Sequence, residues 1–244
     1  MSRVESAREG GLLSAVTVPY ELPRLSAVEM ARRADDFYRL MSSRRSVRAF
    51  SPEPVPRSLI ETAILTASTA PSGAHRQPWT FVVVGDPGIK SRIRLAAERE
   101  ERENYEGGRL PQHWRDALEP LGTTSEKPYL EMVPWVIVLF EQRYTITRSG
   151  DTLKNFYVKE SVGIAAGLLV AALHNMGLAT LTHTPSPMAF LTRLLNRPEN
   201  ERPFALFPVG YPASGCEVPA LVRKELAQVM VRFPEDAGSE EMHL

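Results

Sequence analysis

Arg44, Arg45, Ser46 and Arg48 lie within five positions, after an expected helix and before Pro52. Guanidinium groups supply planar, charge-assisted donor pairs and the serine adds a hydroxyl, so the cluster suits a phosphomonoester. Read alone, it also has the composition of a solvated basic turn. A second set is Glu101, Tyr105 and Lys127. Glu101 and Tyr105 stand four apart in a charged helical stretch and so share a face. A carboxylate, a phenol and an ammonium at one spot would complement an amino-acid zwitterion, with Glu101 taking its ammonium and Tyr105 and Lys127 its carboxylate. Because Glu98, Glu100, Glu101 and Glu103 alternate with arginines, a solvated helix face fits the spacing as well. A third set is Thr182 and Thr184, which on an extended segment share one face while His183 points the other way. Threonines are common in strands for purely structural reasons.

The elements that must position these residues follow from periodicity. Ser26-x-x-Glu29 is a capping box opening a helix that carries Met30, Phe37, Leu40 and Met41. Pro56 suits the first turn of a second helix, in which Leu59, Ile60, Ala63, Ile64 and Ala67 recur at helical spacing and which ends near Pro71-Ser72-Gly73. Strands are predicted over Trp79 to Val84, Trp135 to Phe140, Ala179 to Thr182 and Phe204 to Tyr211. A charged helix is predicted from Gly88 to Tyr105 and a buried one from Phe156 to Met176, the latter turning through Gly177. Gly107-Gly108 and Pro111 suggest a mobile lid after the charged helix. This mixture implies a layered α+β domain.

Composition narrows the function. With 244 residues, 43% of them hydrophobic, the chain can bury one large core. We expect one domain over residues 26–233, between an N-terminal arm (1–25) and a C-terminal tail (234–244). Lys plus Arg equals Asp plus Glu at 29 each, so no overall field favours nucleic acid or an anionic membrane. The single cysteine, Cys216, can form no internal disulfide and belongs to no zinc pattern, so no metal site is expected and a reducing, cytoplasmic setting fits. The first 25 residues lack the layout of a secretory signal. The apolar run Val162 to Leu173 falls short of the roughly 20 residues that span a bilayer, so no membrane partner is expected. Neither G-x-G-x-x-G after a strand nor a Walker sequence is present, which leaves flavin mononucleotide held by side chains as the remaining phosphate-bearing option.

Arg44-Arg45-Ser46-Val47-Arg48, then Thr69 to His75, then Pro78 to Val84 resemble the opening of the nitroreductase superfamily. The version here is most similar to the iodotyrosine deiodinase family. The resemblance runs from about Arg44 to Met230 and takes in Glu101 to Tyr105, Lys127 to Leu130, Thr182 to Pro185, Pro208 to Pro212 and Arg223-Lys224. It implies an FMN-binding α/β sandwich that forms an intertwined homodimer, with flavin sites at the subunit interface. Arg44, Arg45, Ser46, Arg48 and Arg223 would hold FMN, its phosphate especially, and Pro71 and Ser72 would lie against the flavin from the other subunit. Thr182 and Thr184 would flank the ring, Thr184 as the catalytic hydroxyl at N5, while His183 departs from the family's threonine. Glu101, Tyr105 and Lys127 would form the substrate clamp, with an Ala74 backbone N–H on the substrate phenolate. The implied activity is reductive dehalogenation of a halotyrosine, with NAD(P)H or a reductase as electron source. A general NAD(P)H-dependent nitroreductase or quinone reductase and a non-catalytic flavin or amino-acid binder are the alternatives, against which the clamp residues speak.

Overall fold

The structure is a computed structural model that describes residues 16–233. The expected tail and the first 15 residues of the expected arm therefore lie outside the described residues. The chain divides into two compact units after Ser42. In the first unit, α1 (Ala27–Ser43) begins where the Ser26 hydroxyl accepts the Glu29 N–H at 3.3 Å. The Glu29 carboxylate accepts from Arg32 and Arg33. Met30 and Phe37 are exposed, and α1 buries no residue.

The second unit holds α2 (Arg57–Ala67), β1 (Trp79–Val84), α3 (Pro87–Tyr105), α4 (Gln112–Leu118) and α5 (Tyr129–Met132). There follow β2 (Trp135–Gln142), the hairpin β3 (Tyr144–Ile146) and β4 (Thr152–Lys154), then α6 (Val158–Asn175), β5 (Ala179–Thr180), α7 (Ala189–Leu194) and β6 (Glu201–Gly210). The four-stranded sheet runs β1-β2-β6-β5 with antiparallel neighbours. Side chains alternate across it. On one face Ile137, Leu139, Ala205, Phe207 and Val209 pack with Ile60 and Ala63 of α2 and Val162, Leu169 and Leu173 of α6. On the other, Val136, Val138, Phe140 and Leu206 pack with Ile93 and Ala97 of α3, Leu130 and Leu191. Covering on both faces is why β2 reads as an unbroken apolar run.

The expected third strand, Ala179 to Thr182, pairs as a strand only at Ala179 and Thr180. Thr180 lies opposite Val209, and the same register brings His183 opposite Leu206, where the two residues exchange both backbone hydrogen bonds at 2.9 and 2.8 Å. Leu181 therefore falls opposite Pro208, which has no N–H to give, and the ladder breaks there. The segment stays extended: Leu181, His183 and Pro185 are buried, and Thr182 and Thr184 are exposed. α2 also ends earlier than expected, at Ala67, and Pro56 stands immediately before its first turn, as the N-cap. Gly177, at φ 77°, closes α6: its N–H reaches His174 O at 3.0 Å while Leu178 N–H reaches Leu173 O at 3.0 Å, an arrangement that needs a left-handed residue.

Candidate active site

The basic turn follows α1 and runs beside β5, where Ser46 bridges Thr180. Arg44, Arg45, Ser46 and Arg48 line one cleft of about 320 Å³ together with Pro219, Leu221 and Arg223 from the C-terminal segment. That segment is tied down at the cluster: Arg223 Nη2 donates to Arg44 O at 2.7 Å and Arg45 Nη2 donates to Pro219 O. Burial, then the nearby Arg223 and Arg45 guanidinium groups, hold Arg44 below the usual guanidinium range. No ion pair joins Arg44, Arg45 or Arg48 to a carboxylate among the described residues. Arg44, Arg45 and Arg48, with no carboxylate partner among the described residues, are suited to hold an anion.

A second cleft, of about 250 Å³, contains Glu101, Tyr105, Lys127, Thr182, His183 and Thr184. Arg48 and Leu121 line both clefts, so the two are adjacent. α3 delivers Glu101 and Tyr105 one turn apart, as the spacing requires, and the turn before α5 delivers Lys127. Glu101 is 9% exposed and Lys127 2%, with Lys127 Nζ 3.9 Å from Glu101 Oε2 and 5.6 Å from the centre of the Tyr105 ring. At that length the ion pair is not a hydrogen bond. No hydrogen bond from a described residue reaches the Glu101 carboxylate, whereas Lys127 Nζ donates to Thr123 Oγ1 at 3.2 Å and to Thr124 O. Burial raises the Glu101 carboxyl and lowers the Lys127 ammonium, each outweighing the attraction of the other. Burial also raises the Tyr105 phenol, against a hydrogen bond from Thr123. The pair is thus under-compensated, and an added ammonium beside Glu101 and carboxylate beside Lys127 would complete it.

His183 is buried behind the two threonines, its Nδ1 3.4 Å from Tyr129 Oη and its Nε2 without a partner among the described residues. Burial, then Lys127 and Arg48, push its pKa down to about 3, so the ring is neutral. Pro71, Ser72 and Ala74 line neither cleft. They form the turn after α2, where Ala74 takes a left-handed φ of 50°. Sequence reasoning missed Thr123, Asn104 and Trp114, which also line the second cleft. Thr123 lies four residues before Lys127, but nothing in its type marks it. The expected lid carries α4 rather than irregular chain alone.

A sheet covered by helices on both faces, with a cationic cleft beside a clamp-like one, is the arrangement expected of a nitroreductase-type protein, and the nitroreductase family model matches residues 41–211. The relatives are more particular. An iodotyrosine deiodinase from Haliscomenobacter hydrossis is 54% identical over 216 residues, covering 88% of this chain and 97% of that protein. One from Danio rerio is 48% identical over 217 residues, covering 88% of this chain and 72% of that protein. A crystal structure of oxidised iodotyrosine deiodinase bound to FMN and 3-iodo-L-tyrosine aligns with a TM-score of 0.71 and 31% identity, covering 81% of this chain and 98% of that one. The chain belongs to the nitroreductase family and, within it, to the iodotyrosine deiodinases.

Proposed function

We propose that the protein reductively dehalogenates a halotyrosine, replacing ring iodine by hydrogen and releasing iodide. The observation that carries this reading is the Glu101 carboxylate: buried, without a hydrogen-bond donor among the described residues, and facing a buried ammonium across 3.9 Å. FMN suits the adjacent cleft, because Arg44, Arg45 and Arg48 gather there with no carboxylate among the described residues that line it. When bound and reduced, the flavin supplies the electrons, with NAD(P)H or a separate reductase upstream. Arg44, Arg45, Ser46 and Arg223 hold its phosphate, and Arg48 stands between the clefts. Glu101 takes the substrate ammonium, Tyr105 and Lys127 its carboxylate. As the carboxylate binds, Lys127 exchanges its bonds to Thr123 and Thr124 for the ligand, and Leu110, Trp114 and Leu118 from the α4 region exclude water. Thr182 and Thr184 are exposed on the open side of their segment and line the clamp cleft, where Thr184 would offer its hydroxyl to the N5 of a bound flavin.

The working unit is a homodimer. Pro71, Ser72 and Ala74 are away from both clefts of their own protomer, and a second copy would supply them to flavin and phenolate. On α6, Ile164 is 45% exposed, and Gly163 and Gly167 leave open space beside it. The test is anaerobic mixing of the reduced holoprotein with 3-iodotyrosine, an iodophenol and a nitroaromatic, following flavin reoxidation and iodide. Iodotyrosine should reoxidise the flavin with one iodide released per flavin, and the iodophenol should react slowly. Iodotyrosine reacting no faster than the iodophenol would end the clamp reading.

A further inference from the structure

One buried carboxylate near the clamp has no part in the reading above. Glu98 is 4% exposed and stands one turn before Glu101 on α3. Its Oε1 accepts the backbone N–H of Lys127 at 2.7 Å and Arg94 Nε at 2.7 Å. Arg94 Nη1 reaches on to Glu131 Oε2 at 3.2 Å, and Lys90 Nζ donates to the carbonyl oxygens of Glu131 at 3.2 Å and Val133 at 2.6 Å. Lys90, Arg94, Glu98 and Glu101 follow at spacings of four, four and three, so they form one stripe along the helix. Segment 127–133 is seated on that stripe by polar anchors, and the clamp lies at its end.

We infer that Glu98 is a positioning residue for the clamp: by holding the Lys127 N–H it sets where the Lys127 ammonium stands relative to Glu101 and Tyr105, and so tunes affinity for the amino and carboxylate groups of an α-amino acid. This rests on the clamp reading. The bond is short and charge-assisted, joins a side chain to the backbone of the residue it orients, and runs between the two elements that supply the clamp. Glu98 itself does not line the cleft. Its charge also favours the Lys127 ammonium, but less than Glu101 does. Holding the Lys127 N–H at 2.7 Å needs an acceptor oxygen rather than a charge, so an uncharged acceptor of the same shape should preserve most of the effect.

A double-mutant cycle on the oxidised, FMN-loaded protein tests this, reading 3-iodotyrosine affinity from the flavin spectrum and FMN affinity from flavin fluorescence on dilution. Glu98→Ala should weaken iodotyrosine roughly tenfold and leave FMN affinity as it is, whereas Glu98→Gln should bind iodotyrosine nearly as the parent does. In a Lys127→Ala background, which removes the ammonium but keeps the backbone N–H, Glu98→Ala should cost nothing further. Equal losses in both backgrounds, a matching loss of FMN affinity, or a Gln variant as weak as the Ala variant would overturn the inference and leave Glu98 a fold or charge element. Lys127→Ala without effect on iodotyrosine would overturn the clamp reading together with it. Should Glu98→Ala fail to fold, Glu98→Asp, one methylene too short to reach the Lys127 N–H, runs through the same cycle with the same outcomes.

Discussion

At the scale of single residues, buried charge that its neighbour only partly compensates marks the site. Glu101→Gln keeps the shape and removes the charge, and should weaken iodotyrosine by about 1.5–3 kcal/mol with FMN affinity unchanged. Titration of both ligands checks this, and a parallel loss of FMN would place Glu101 in support of the flavin instead. His183 gives a prediction of a different kind. Its pKa falls from 6.5 to about 3 on folding, held down by burial, Lys127 and Arg48. Below 6.5 the unfolded chain takes up a proton that the folded one refuses, so the stability this neutral ring contributes is complete above 6.5 and declines toward 3. The slope is about 1.4 kcal/mol per pH unit within that window. Glu101, raised by burial, acts in the opposite sense at acid pH, so the comparison must be with a variant. Denaturant melts between pH 7 and 4.5 should show a flatter acid decline for His183→Asn than for the parent; parallel curves would mean that His183 titrates normally.

At the scale of elements, α3 does most of the positioning. Asp86 caps it, its carboxylate accepting the Ile89 N–H at 2.8 Å, and Pro87 opens the first turn, while the clamp residues sit at the far end. Asp86→Ala should lower unfolding free energy by about 0.5–2 kcal/mol. Because the stripe from Lys90 to Glu101 seats segment 127–133 independently of the cap, iodotyrosine affinity should hold. Denaturant melts beside ligand titration separate the two, and a joint fall would show that the helix start and the clamp are coupled. The break after β5 belongs to this scale too: Pro208 in β6 interrupts the ladder at Leu181, yet register resumes at His183, so the threonines keep their common face.

At the scale of the whole molecule, the proposed dimer accounts for Pro71, Ser72 and Ala74 lying away from the clefts, and for the apolar exposure on α6. Ile164→Lys places a charge on that face without touching the buried stripe of Val162, Ala165 and Leu169. Sedimentation should show a shift toward monomer, with FMN occupancy falling alongside it as protein is diluted. A variant that stays dimeric and yellow at the parent's concentrations would remove α6 from the interface.

The sequence by itself determined what local physics controls. β1 appears at Trp79–Val84 as expected, because an apolar β-branched run between turn residues has few alternatives. α3 and α6 appear within two residues of their expected ends, because helical periodicity persists over many turns. The shared face of Glu101 and Tyr105 and the alternation through Thr182, His183 and Thr184 are likewise properties of the chain's own geometry. Only the tertiary structure decided that Lys127 stands 3.9 Å from Glu101, that Arg223 reaches Arg44 across the fold, and that Glu98 holds the Lys127 backbone. It also decided where β5 ends, since that depends on which residue of another strand lies opposite. Contacts between residues far apart in sequence depend on how whole elements pack, and the burial that turns a charged helix face into a binding site exists only once they have packed.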